Sequence, residues 1–124
     1  MQDTQKNFYK KIIGQLGEDR AAEYLEKNGY MLLYRNFRTP YGEVDILALD
    51  CSTNEYVFCE VKTRKSSKYI RACQAVDYKK QERYILMAGH YMQQQNTDDI
   101  AIRFDIIEVY PNSINHIQAA FIAK

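Results

Sequence analysis

Long apolar runs are absent from this chain. No stretch approaches the roughly 20 apolar residues that a membrane-spanning helix needs, and the start, Met1 to Lys11, is polar where a signal peptide would carry an apolar core. The expectation is a cytoplasmic protein with no membrane partner. Cysteine is scarce and odd in number: Cys51, Cys59 and Cys73 form no Cys-x-x-Cys pair, which suits a reducing compartment and a packing role. Proline is confined to Pro40 and Pro111, both where turns are expected, and no repeat, low-complexity stretch or Pro/Gly-rich linker interrupts the chain. Residues 1–124 therefore read as one domain.

Hydrophobic residues make up 46% of the sequence and charged residues 27%, which excludes a disordered or fibrous chain. The net charge of +1 hides an uneven distribution. Between Lys62 and Arg83, eight lysines and arginines face only Asp77 and Glu82, so the remainder is net acidic. Good helix formers over residues 8–28, stopped by Asn28-Gly29, predict a first helix. Strands are predicted over 30–37, 43–50 and 55–63, and again over 100–110 and 114–121. A second helix over 72–93, with Ala75, Tyr78, Glu82, Ile85 and Met92 as its stripe, lies between the two sets. The order is αβββαββ, an α/β fold.

The chemistry concentrates on the second and third strands. If the four residues Cys51 to Asn54 close a hairpin that pairs Asp50 with Glu55, antiparallel register sets Asp45 opposite Glu60 and Glu43 opposite Lys62. Period-two alternation then puts these four on one face with Leu47, Phe58, Leu49 and Tyr56. Val44, Ile46, Ala48, Val57, Cys59 and Val61 form an apolar opposite face. Opposed carboxylates in a largely buried sheet are costly unless compensated. A divalent cation, Mg²⁺ or Mn²⁺, held by Asp45 and Glu60 supplies that compensation, with Lys62 beside it to orient water or steady a developing phosphorane. In the first helix Glu18 shares a face with Ala21, Ala22 and Leu25, so it is the candidate third carboxylate. Glu43 is expected to pair with Lys62.

Arg35, Arg38, Arg64, Lys65, Lys68, Arg71 and Lys80 form the candidate nucleic-acid surface, with Tyr69, Tyr78 and Tyr84 available for stacking or packing. His90 and His116 lack ligand spacing, and neither belongs to a nucleophile motif, which argues against a zinc site and a Ser/His/Asp triad. Asp105, next to Arg103, reads as a satisfied structural carboxylate.

The runs Gly42-Glu43-Val44-Asp45-Ile46-Leu47 and Cys59-Glu60-Val61-Lys62-Thr63-Arg64 resemble the PD-(D/E)xK nuclease motif, although Glu43 and Val44 stand where a proline usually precedes the aspartate. More closely, the chain is similar to the YraN family. The likeness also includes Gly17-Glu18, Ala21-Ala22, Gly29-Tyr30, Arg35-Asn36, Ala75-Val76, Lys80-Gln81 and Arg103-Phe104-Asp105. The resemblance implies a restriction-endonuclease-like core, a mixed central sheet flanked by helices, similar to archaeal Holliday junction resolvases. It implies metal binding at Glu18, Asp45 and Glu60, and catalysis assisted by Lys62. Cleavage of branched or structured DNA by a homodimer is the expectation that follows. A non-catalytic nucleic-acid-binding accessory in repair, recombination or RNA metabolism is the alternative.

Overall fold

The computed structural model describes residues 3–65 and 77–122. Its elements are α1 (Asp3–Lys27), β1 (Tyr30–Thr39), β2 (Gly42–Asp50), β3 (Glu55–Thr63), α2 (Tyr78–Gln94), β4 (Ala101–Tyr110) and β5 (Ser113–Phe121). This is the αβββαββ order read from the pattern of hydrophobic residues. The five strands form one sheet in the order β1-β2-β3-β4-β5, antiparallel except for the parallel β3–β4 pair. A parallel pair needs a crossover connection, and α2 lies in that connection. Among the described residues no helix is long and apolar enough to cross a membrane.

Each helix covers one face. Ala21, Ala22 and Leu25 of α1 pack on Ile46, Ala48, Val57, Cys59, Ile107 and Val109. Tyr84, Met87, Ala88 and Tyr91 of α2 pack on Leu47, Phe58 and Phe104. The alternation along β3 and β4 dictates this division, since successive residues face opposite sides. Gly29, at φ +85°, ends α1 in the left-handed conformation expected of it. At Gly17 an added Cβ would meet Thr63 Oγ1 at 2.1 Å, so the helix sits directly against the end of β3.

Several expectations need correction. The described part of α1 starts at Asp3, before residue 8, and its N-terminal half carries exposed Phe8, Tyr9 and Leu16. The described part of α2 starts at Tyr78, where Asp77 caps the helix by accepting from Lys80 N at 2.9 Å; residues 72–76 lie outside the description. The stripe it buries is Tyr84, Met87, Ala88 and Tyr91, while Tyr78 is exposed. Spacing alone admitted both stripes, and contact with the sheet selects the aromatic one. Val44 packs with Leu47 and Phe58 under α2 and not with Ile46. Cys59 is buried as a packing residue, Cys51 is exposed in the hairpin loop, and Cys73 lies outside the description.

The far end of the sheet holds a closed polar network. Arg103, 8% exposed, donates to Asp50 Oδ2 at 2.8 Å, Glu55 Oε1 at 2.9 Å, both oxygens of Asp105 at 2.9 Å and the Tyr30 hydroxyl at 2.7 Å. Asp105 also meets His116 Nε2 at 2.7 Å and accepts from Ala119 N at 3.0 Å, so it is the satisfied structural carboxylate expected. Burial works against the charge on Asp50 and Asp105. Their hydrogen bonds, from Ser52 and Arg103 and from His116 and Arg103, outweigh it and hold both carboxyls below the ordinary aspartate value.

Depressed folded-state values mean that this stabilisation is present above the unfolded value near 3.8 and is lost as pH falls below it. Replacing Arg103 with Met strands three carboxylates and should cost about 3–5 kcal/mol at neutral pH. Urea titration measures this, and the deficit should shrink below about pH 4 as the carboxyls protonate. A deficit independent of pH would deny the network its electrostatic role.

Candidate active site at the parting of β2 and β3

The β2–β3 ladder has the expected register, from Asp50 opposite Glu55 to Ile46 opposite Cys59. It stops there. The next residue of β2, Asp45, is not seated across from Glu60 in the ladder; its Oδ2 accepts the Val61 N–H at 2.8 Å. A side-chain carboxylate thus replaces a backbone acceptor, the two strands part, and two carboxylates that would repel face to face are kept out of direct opposition. Beyond this point β3 continues beside β4 as far as Thr63 opposite Val109.

Both helices reach into the parting. From α2, Lys80 Nζ and the Tyr84 hydroxyl donate to Glu60 Oε1 and Oε2 respectively. They lie one turn apart, at i and i+4, and so point the same way. Lys62 Nζ adds an ion pair to Glu60 Oε1 at 3.2 Å. Glu60 is only 4% exposed. Burial opposes its charge, but the hydrogen bonds of Lys80 and Tyr84 and the charges of Lys80 and Lys62 prevail and hold its carboxyl below the ordinary glutamate value. At Asp45 burial and the Glu60 and Glu18 charges outweigh the Val61 N–H and the charge of Lys80, and its carboxyl is raised to about 7. From α1, Glu18 is raised by desolvation, opposed by Arg35 and reinforced by Glu43, Asp19 and Glu60.

The structure therefore brings Glu18, Asp45, Glu60 and Lys62 into one electrostatic neighbourhood. It does not form the expected Glu43–Lys62 pair. Glu43 is the cross-strand neighbour of Arg38, whose Nε lies 3.6 Å from Glu43 Oε2, and Lys62 turns to the more buried Glu60. Asn36, with its amide oriented to donate, bridges Glu18 Oε1 at 3.0 Å and Glu43 Oε1 at 2.9 Å. At φ +53° it occupies the left-handed region that asparagine tolerates.

Of the basic residues singled out, Arg35 pairs with Asp19 at 2.7 Å, Arg38 is exposed and Lys80 is turned onto Glu60. Arg64 points inward to buried Glu108 at 3.5 Å. Lys65 lines a cavity of about 450 Å³ with Lys6, Tyr9, Lys10 and Thr63. Lys68 and Arg71 lie outside the described residues. The partnership of Lys80 and Tyr84 with Glu60 and the Asn36 bridge escaped sequence reasoning. The i, i+4 spacing of Lys80 and Tyr84 was visible, but not what they face.

The chemistry of the donors suits a hard divalent cation, because Asp45, Glu60 and Glu18 offer oxygens only, and burial and the charge of Glu60 work against the Asp45 carboxylate. Among the described residues, however, no three His, Cys, Asp or Glu side chains stand together as a ligand group. Both Glu60 oxygens are directed to donors on α2.

A folded-state value above the unfolded one means that native Asp45 binds a proton between about pH 4 and 7 that the unfolded chain has released. Its contribution to stability is present at low pH and is lost as pH rises through 7. The Asp45→Asn variant, which keeps an oxygen for Val61 N–H, should therefore be more stable than wild type at neutral pH by a few kcal/mol, on the order set by the shift. That margin should narrow towards pH 4. Chemical denaturation across this range measures it, and a constant or negative margin would contradict the electrostatic picture.

Comparison with known proteins agrees with the resemblance to the YraN family. The model of the uncharacterised protein family UPF0102, the YraN family, matches residues 17–109, which include Glu18, Asp45, Glu60, Lys62, Lys80 and Tyr84. A UPF0102 protein of Caldanaerobacter subterraneus subsp. tengcongensis is 42% identical over 123 residues, covering 94% of this chain and 99% of that protein. A UPF0102 protein of Persephonella marina is 41% identical, with 89% and 93% covered, and one of Clostridioides difficile is 40% identical, with 87% and 95% covered. With the family model spanning most of the chain and relatives of this identity aligned nearly end to end, the protein belongs to the UPF0102 (YraN) family.

Proposed function

We propose that this protein is an endonuclease that hydrolyses phosphodiester bonds in nucleic acid, with branched or structured DNA favoured, and that it uses Mg²⁺ or Mn²⁺ held by Asp45 and Glu60 with Glu18 as third carboxylate. The observation that carries this reading is the meeting of Asp45, Glu60 and Lys62 where β2 leaves β3, with Asp45 raised to about 7 by its burial and by the charge of Glu60. The cation, when bound, supplies Lewis acidity and a water of lowered pKa. Val61 N–H pins one Asp45 oxygen and so orients the other. Tyr84 orients Glu60 from below. Lys62, part-exposed beside Glu60, has an ammonium able to donate to a phosphate oxygen or an attacking water. Arg35, Arg38 and Lys65, with Lys68 and Arg71 of the undescribed segment, are the candidate contacts to the phosphate backbone.

The engagement of both Glu60 oxygens by α2 favours a second reading, in which the protein binds nucleic acid without cutting it. Incubating labelled duplex, single strand, flap, four-way junction and RNA with Mg²⁺ or Mn²⁺ separates the two. Cleavage by wild type and none by Asp45→Asn is the expected result; binding without cleavage of any substrate would transfer the assignment to the accessory module. In either case Lys65→Gln should reduce the slope of log K against log salt by about 0.7–0.9, the share of one phosphate contact. An unchanged slope would remove Lys65 from the interface.

A further inference from the structure

Lys80 is placed as no nucleic-acid contact needs to be. Its backbone is fixed in the first turn of α2 by the Asp77 cap, and its ammonium sits on Glu60 Oε1, the oxygen that Lys62 also approaches. Tyr84, from the next turn, takes Oε2. Glu60 is thereby neutralised by the chain's own cations, whereas Asp45, the other carboxylate of the parting, is opposed by burial and by the Glu60 charge more than it is helped by the charge of Lys80. A side chain with this placement opposes a further cation at the same oxygen, where Lys62 already stands at 3.2 Å, because each added positive charge raises the repulsion there. It also has somewhere else to go. A cavity of about 160 Å³ adjoins it, lined among others by Glu43, Arg83 and Tyr84. Its wall carries the carboxylate Glu43, which exposed Arg38 approaches to 3.6 Å, as well as the cation Arg83, so an ammonium leaving Glu60 would share Glu43 with these groups.

We infer that Lys80 is the site's built-in counter-ion: its ammonium and a divalent cation compete for Glu60 Oε1, and loading the cation is coupled to release of Lys80 into the adjoining cavity. This inference rests on the metal-dependent reading above. In this arrangement the protein without metal is stabilised by a lysine where the metal belongs, and the freed ammonium becomes available to a phosphate only when the cation is present. Lys80 thus ties substrate contact to metal occupancy. It is a positioning residue for the cation site, distinct from the motif lysine, Lys62.

The test is Mn²⁺ binding by titration calorimetry at neutral pH, without nucleic acid, on wild type, Asp45→Asn, Lys80→Met and Lys80→Arg. Removing the competing charge in Lys80→Met should tighten Mn²⁺ binding by about tenfold or more, within the range by which groups around a metal site alter affinity. Lys80→Arg, which keeps the charge, should bind like wild type. Should Lys80→Met fail to fold, Lys80→Gln keeps a hydrogen-bond donor for Glu60 without the charge and carries the same expectation. Equal or weaker binding by the neutral variant overturns the competition. If wild type then still binds Mn²⁺ and Asp45→Asn does not, the metal-site reading stands without it. Absence of Mn²⁺ binding from every variant overturns both.

Discussion

The Asp45 Oδ2 to Val61 N–H hydrogen bond is the interaction on which the geometry of the site depends. A strand pair continued past Ile46 and Cys59 would set Asp45 face to face with Glu60 and leave no space between them. By accepting the amide of Val61, Asp45 terminates the ladder while satisfying a backbone donor that the parting would otherwise orphan. The space so created is bounded by α1 on one side and α2 on the other. Glu18 enters from the first and Lys80 and Tyr84 from the second. The close seat of Gly17 on Thr63 brings α1 near enough for the charge of Glu18 to be felt at Asp45 and Glu60.

Two of the groups of buried charge in this small sheet are solved differently. Around Arg103 the geometry is closed: one guanidinium, with its rigid fork of donors, serves Asp50, Glu55 and Asp105 together, and His116 and the Ala119 amide complete Asp105. Such a network orders the sheet and holds Asp50 and Asp105 below the ordinary aspartate value. At the parting of β2 and β3 the balance is unequal. Glu60 has hydrogen bonds from Lys80 and Tyr84, an ion pair with Lys62 and a lowered value; Asp45 accepts from the Val61 N–H and has a raised value. Neighbouring groups pushed in opposite directions follow here from burial combined with unequal pairing.

That asymmetry depends on which cations the fold delivers. Lys62 reaches Glu60 from its own strand, two residues on, whereas Lys80 arrives across the interface between sheet and helix. The first is a local consequence of period-two alternation; the second requires α2 to lie across Phe58 and Phe104 with its aromatic stripe inward. The same packing puts Tyr84 on Glu60 and leaves Tyr78 in solvent.

What the sequence by itself determined follows from short-range periodicity. The four-residue loop Cys51 to Asn54 and the alternation on either side were enough to set the hairpin register, and with it the nearness of Asp45, Glu60 and Lys62; Glu18 was legible from the packed face of α1. Asp105 was legible as structural because Arg103 stands two residues away on the same face of its strand. The tertiary structure alone decided where the ladder ends, which side Val44 takes, which stripe of α2 is buried, that Glu43 meets Arg38, and that Lys80 and Tyr84 hold Glu60. Each of these depends on contacts between residues remote in the chain or on a choice between faces of similar hydrophobicity. A repeat of 2 or 3.6 residues says that a face exists, but only the surface packed against it determines which face is used and which charges it meets.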